Sequence, residues 1–117
     1  MSLFRKPKKT NALEIPSWET VVELMHDKHL PNELVRVLYS KDNAQRFVIL
    51  QSRQGFFTYQ LEKLCQYDSE EWQYIGQNKN ALPAMWEPEG SSKSIFETLD
   101  QLLTELKTHP SYQQHFC

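Results

Sequence analysis

Arg46-Phe47-Val48-Ile49-Leu50-Gln51, the turn Ser52-Arg53-Gln54-Gly55, and then Phe56-Phe57-Thr58-Tyr59-Gln60-Leu61-Glu62 decide the fold. Successive side chains of a strand leave opposite faces. Phe57, Tyr59 and Leu61 therefore share one face, opposite Phe56, Thr58, Gln60 and Glu62. The first run is apolar on both faces, Phe47 and Ile49 against Val48 and Leu50, which suits the middle of a sheet. Gly55 supplies the left-handed backbone that a bulged hairpin turn needs. The pattern predicts strands over Arg46 to Gln51 and Gly55 to Leu64.

Upstream, Leu34 to Ser40 alternates Val35, Val37 and Tyr39 against Leu34, Arg36 and Leu38, and predicts a strand that turns at Asp42-Asn43. Downstream, Glu71 to Ile75 predicts a fourth strand after the acidic turn Asp68-Ser69-Glu70. Residues 76–93, punctuated by Gly76, Pro83, Pro88 and Gly90, predict an ordered loop carrying Met85 and Trp86.

Helices bracket these strands. Ser17 is a good N-cap, Glu19 suits the first turn, and Trp18, Val21, Val22 and Met25 recur as one buried face. Lys28 and His29 suit the C-terminal end, before Pro31. Ser94 and Glu97 form an S-x-x-E capping box that predicts a second helix from Ser94, with Phe96, Leu99, Leu103 and Leu106 as its stripe. A last turn from Pro110 puts Tyr112 and Phe116 on one side. The order predicts an α+β fold. It has two layers: an antiparallel meander of three or four strands, with an N-terminal and a C-terminal helix on one face.

The 117 residues suit one domain, expected over 15–117 and preceded by a basic arm over 1–14. No apolar run approaches the roughly 20 residues of a membrane span, so no membrane insertion is expected. The basic start lacks the apolar stretch of a signal peptide, which makes a cytoplasmic location the expectation. Cys65 and Cys117 form neither a disulfide framework nor a C-x-x-C site. Thirteen Lys and Arg against fifteen Asp and Glu give a net charge of −2; four of those cations lie in the first ten residues, so the rest of the chain carries −6.

The chemistry-bearing residues have ordinary explanations. His26 and His29 stand three apart, yet no third metal ligand has matching spacing. Asp68, Glu70 and Glu71 sit at a turn, where acids are solvated rather than poised for acid–base work. No nucleophile elbow or phosphate-cradling glycine loop is present. No cofactor, no metal and no enzymatic activity are therefore expected, a small enzyme without a recognisable motif being the less favoured alternative.

Two surfaces remain. Arg5, Lys6, Lys8 and Lys9 are a candidate anion-binding arm, suited to nucleic acid or an anionic surface through counterion release. Met85 and Trp86 on a proline-stiffened loop, with Arg46, Arg53 and Phe56, are candidate partner-binding residues, because Trp and Arg dominate binding hot spots. The expected function is a small non-enzymatic protein-binding or self-associating module. One form is a homodimer through an open sheet face or an edge strand; another is an inhibitor-like partner of a basic protein, which the acidic body would attract.

Overall fold

The computed structural model describes residues 13–117. The arm cations Arg5, Lys6, Lys8 and Lys9 lie outside the described residues. The elements in chain order are α1 (Trp18–Met25), β1 (Leu34–Tyr39), β2 (Gln45–Gln51), β3 (Phe57–Gln66), α2 (Ser69–Ile75), β4 (Ala84–Ser91), α3 (Leu99–Leu106) and α4 (Pro110–His115). The four strands form one antiparallel meander in the order β1-β2-β3-β4. The α+β class and the meander are as the sequence predicts.

The β2–β3 hairpin closes through Ser52 N–H on the Phe56 carbonyl, with Gly55 at φ +92° in the turn. That closure fixes the register, pairing Phe47 with Leu61 and Arg46 with Glu62. The β1–β2 turn uses Asn43 at φ +60°, and the Asp42 carboxylate accepts from the Ser40 hydroxyl and the Ala44 N–H. Those two bonds hold the Asp42 carboxyl below its ordinary range.

The helices lie on opposite faces of the sheet, not together on one. Arg46 and Phe47 are neighbours in β2 and so point oppositely. On the face of Arg46, Val21 and Met25 of α1 bury against Leu64, Ala84 and Trp86. On the face of Phe47, Leu106 of α3 buries with Phe47 and Leu61, and Leu103, Tyr112 and Phe116 pack alongside. This is why Arg46 to Ile49 are all buried: β2 is covered from both sides. Among the described residues, Arg46 to Ile49 at the middle of β2 have no exposed side chain on either face.

Three local expectations change. The segment read as a fourth strand is helix α2, because Asp68 caps it and Asp68 and Glu71 form a reciprocal capping box. The segment read as a loop carries β4, whose Pro88 lies on the sheet's outer edge. Pro88 opposes Glu62 in a non-hydrogen-bonded pair, so its nitrogen faces away from β3 and no ladder bond is lost. The second helix begins at Leu99 rather than Ser94, with Thr98 and Gln101 as its capping box. Phe96 is held extended by reciprocal backbone bonds to Phe57 of 2.7 and 2.9 Å, which draws residues 94–97 out of a helix.

Helix α1 starts at Ser17 as predicted but stops at Met25. The Tyr39 hydroxyl donates to the Asp27 carboxylate at 2.6 Å and accepts from the Asp27 N–H at 2.8 Å, while His26 stacks on the Tyr39 ring. Asp27 and His29 take positive φ, which turns the chain toward β1. Before α1, residues 13–16 are clamped by side chains: Gln73 bonds both the N–H and the carbonyl of Leu13, and Trp72 and Gln66 donate to the carbonyls of Glu14 and Pro16. Gly76 leaves room for this approach, since a Cβ there would lie 2.9 Å from the Leu13 side chain.

Candidate functional site

The residues predicted to bind a partner do not form one surface. Arg46 and Trp86 do meet, but inside the protein. Arg46 is 0% exposed and Trp86 7%. The guanidinium lies over the Trp86 ring, 4.2 Å from its centroid. Its Nε donates to Glu62 at 2.7 Å and an Nη donates to the His29 carbonyl at 3.3 Å. The other Nη has no protein partner among the described residues. The Trp86 indole N–H donates to the Met25 carbonyl at 2.9 Å, tying β4 to the end of α1. The pair is therefore interior scaffolding, and neither side chain is offered to a partner.

Of the other three, Met85 and Arg53 are exposed and Phe56 is half-buried, and they do not lie together. Met85 is exposed where β4 pairs with Cys65, whereas Arg53 and Phe56 sit at the β2–β3 turn at the other end of β3. Eight residues of strand separate Phe57 from Cys65, roughly 26 Å. Beside Met85, the Cys65 thiol donates to Glu87, and burial followed by that carboxylate raises the thiol above its ordinary value. This disfavours the thiolate, the nucleophilic form of Cys65.

The sheet edges differ, and this difference was not read from the sequence. An edge strand exposes backbone groups that a further strand can pair with, and proteins blunt such edges with proline, charge and bulges. The β4 edge is blunted in all three ways: Pro88, exposed Glu87 and Glu89, and a bulge where Glu62 opposes Pro88 and Leu61 opposes Gly90. The β1 edge is not. Ser40 N–H bonds to the Gln45 carbonyl, so by alternation Leu38 and Arg36 face β2, and the N–H and C=O groups of Val37 and Tyr39 face outward. Among the described residues these groups have no other backbone partner. Val35, at a bulge between Leu34 and Arg36, adds an exposed apolar side chain to the same edge. Proline and acid placement along Glu87-Pro88-Glu89, absent from Leu34 to Tyr39, was the signal available.

A separate cleft of about 200 Å³ opens between β3, the segment 91–96 and the α3–α4 turn. Tyr59 and Phe96 line it, with near-parallel rings whose centroids are 6.5 Å apart. Lys93, Ser94, Glu105 and His109 complete the lining. His109 Nδ1 accepts the Ser111 N–H at 3.1 Å and so caps α4, which places the ring proton on Nε2. The Ser92 hydroxyl accepts the Tyr59 N–H at 3.2 Å. Burial, and then the Glu105 charge, raise the Tyr59 phenol, so it remains a donor at neutral pH. No serine hydroxyl is hydrogen-bonded to His109 among the described residues, so no nucleophile–base pair is assembled here.

No protein-family model matches this sequence, and no curated protein or solved structure is detectably similar to it. No helix among the described residues is long and apolar enough to cross a membrane.

Proposed function

We propose that this chain is a non-enzymatic protein-binding module of the cytoplasm, which takes an added strand along the outer edge of β1, a second copy of itself being the occupant. The observation that carries this reading is the contrast between the two edges: β4 is blunted, while β1 presents the paired backbone groups of Val37 and Tyr39. Edge association is favoured over face-on association, because α1 packs on one face of the sheet, over Leu64, Ala84 and Trp86, and α3 and α4 pack on the other.

A two-fold axis beside Leu38 gives a self-consistent register. Val37 of each copy then exchanges both backbone bonds with Tyr39 of the other, and Leu38 meets its own mate. Four main-chain bonds and one apolar pair make a small interface, so the association is weak and concentration-dependent. The two meanders join into one eight-stranded sheet, and the acidic bodies lie to either side.

Sedimentation of the full chain over a wide concentration range tests this. Val37→Pro removes an outward N–H without removing a ladder bond, and Val35→Lys places a charge on the edge. Both variants should remain folded by circular dichroism and stay monomeric where the parent dimerises. A parent that is monomeric at every concentration, or variants that dimerise equally well, would reject β1 as the interface.

A further inference from the structure

The cleft beside Tyr59 holds chemistry that strand addition does not use. Both of its aromatic walls are fixed: Phe96 by its reciprocal backbone bonds to Phe57, Tyr59 by edge-on contact with Phe47 at 5.6 Å. The polar groups around them are unspent. Among the described residues, the Lys93 ammonium, the Ser94 hydroxyl, the Glu105 carboxylate, the Tyr59 hydroxyl and His109 Nε2 enter no protein hydrogen bond or ion pair, while the groups that serve the fold are Ser92 Oγ and His109 Nδ1. Convergent polar groups over an apolar wall are what a small-ligand site requires.

The charges narrow the ligand class. Among the described residues, one cation, Lys93, and one anion, Glu105, line the same cleft and do not pair with each other. A phosphate or other simple anion would meet Glu105, and a simple amine would meet Lys93. A neutral sugar would leave both charges unmatched. A ligand carrying both signs satisfies them together. A cleft of about 200 Å³ admits a small metabolite and is below the size of drug-like pockets.

We propose that this cleft binds a free α-amino acid, with its ammonium on Glu105, its carboxylate on Lys93 and Ser94, and an apolar side chain against Tyr59 and Phe96. The Tyr59 hydroxyl and His109 Nε2 line the same cleft and offer two further donors. The site is independent of the β1 edge, so loss of dimerisation leaves it intact.

Amide NMR titration of the full chain with L-leucine tests the proposal, with N-acetyl-leucine, leucinamide and glucose as comparators. Leucine should give saturable shifts at Tyr59, Lys93, Glu105 and His109 in the millimolar range. Removing either ligand charge should weaken binding at least tenfold. Glu105→Gln, on the exposed side of α3, should weaken leucine by a similar factor while leaving N-acetyl-leucine unchanged. No saturable shift with leucine at 50 mM, equal binding of glucose or N-acetyl-leucine, or a Glu105→Gln variant that binds leucine as the parent does, would each overturn it.

Discussion

Removing Glu62 should be among the most damaging single changes in this protein. Arg46 is wholly buried and Glu62 nearly so, and their 2.7 Å contact is the only charge neutralisation the guanidinium receives among the described residues. Glu62→Ala leaves a buried cation that already has one unpartnered Nη, with only the His29 carbonyl and the Trp86 face for support. Breaking a buried pair in this way costs about 3–5 kcal/mol. That is a large share of the 5–15 kcal/mol typical of a domain. With a urea slope near 1.5 kcal/mol per molar, the midpoint falls by about 2–3 M. Arg46→Met combined with Glu62→Leu removes both charges and should recover most of the loss, since an apolar pair of similar volume is often neutral or better. Urea unfolding of the parent, the two single variants and the double variant gives the coupling directly. Adding 0.5 M salt should leave the coupling nearly unchanged, because a buried pair is poorly screened. A Glu62→Ala loss under about 1 kcal/mol, or a double variant as damaged as the sum of the singles, would refute the buried-pair account.

Three further outcomes are expected. Trp86→Ala should cost about 3–5 kcal/mol in chemical denaturation, because it opens the α1 core and removes the indole bond to the Met25 carbonyl; a change under 1 kcal/mol would place Trp86 outside the core. Thr98→Ala should cost about 1 kcal/mol and Ser94→Ala almost nothing, since the capping box that forms is the one at Thr98; thermal melts separate the two. The Asp42 carboxyl is lowered by its bonds to Ser40 and Ala44, so its contribution is complete above the unfolded value near 3.9 and is lost as pH falls through the lower folded value. Asp42→Ala should therefore be less stable than the parent at pH 7, with the gap closing below about pH 4; a gap that stays constant with pH would contradict that assignment.

The local grammar of this chain was legible and its tertiary arrangement was not. The alternation of Phe57, Tyr59 and Leu61, the Ser17 cap and the Tyr112–Phe116 pair are short-range patterns, and each appears where the periodicity puts it. The misread segments each contain a signal that two structures share. Asp68-x-x-Glu71 is a capping box as well as an acidic turn, and Pro88 breaks a central strand but not an edge. Ser94 and Thr98 both begin boxes in the same register, and the Phe57–Phe96 bridge, a long-range contact, selects the second. Element order says nothing about which face a helix takes, so the three-layer arrangement was out of reach. The interior role of Arg46 was closer to hand. Counting six residues outward on each strand from the Ser52–Phe56 closure sets Arg46 opposite Glu62, an ion pair on a strand that is apolar on both sides. The cleft, built from residues 59 and 91–109, has no periodic signature.

The open β1 edge is tested most directly by amide hydrogen exchange at Val37 and Tyr39 as a function of protein concentration. These two amides face outward from β1 and have no other backbone partner among the described residues. If a second β1 pairs with them, their protection rises as the protein is concentrated, while Leu38, already bonded to β2, stays protected throughout. Val37 and Tyr39 amides that exchange freely up to millimolar concentration would contradict strand addition at this edge.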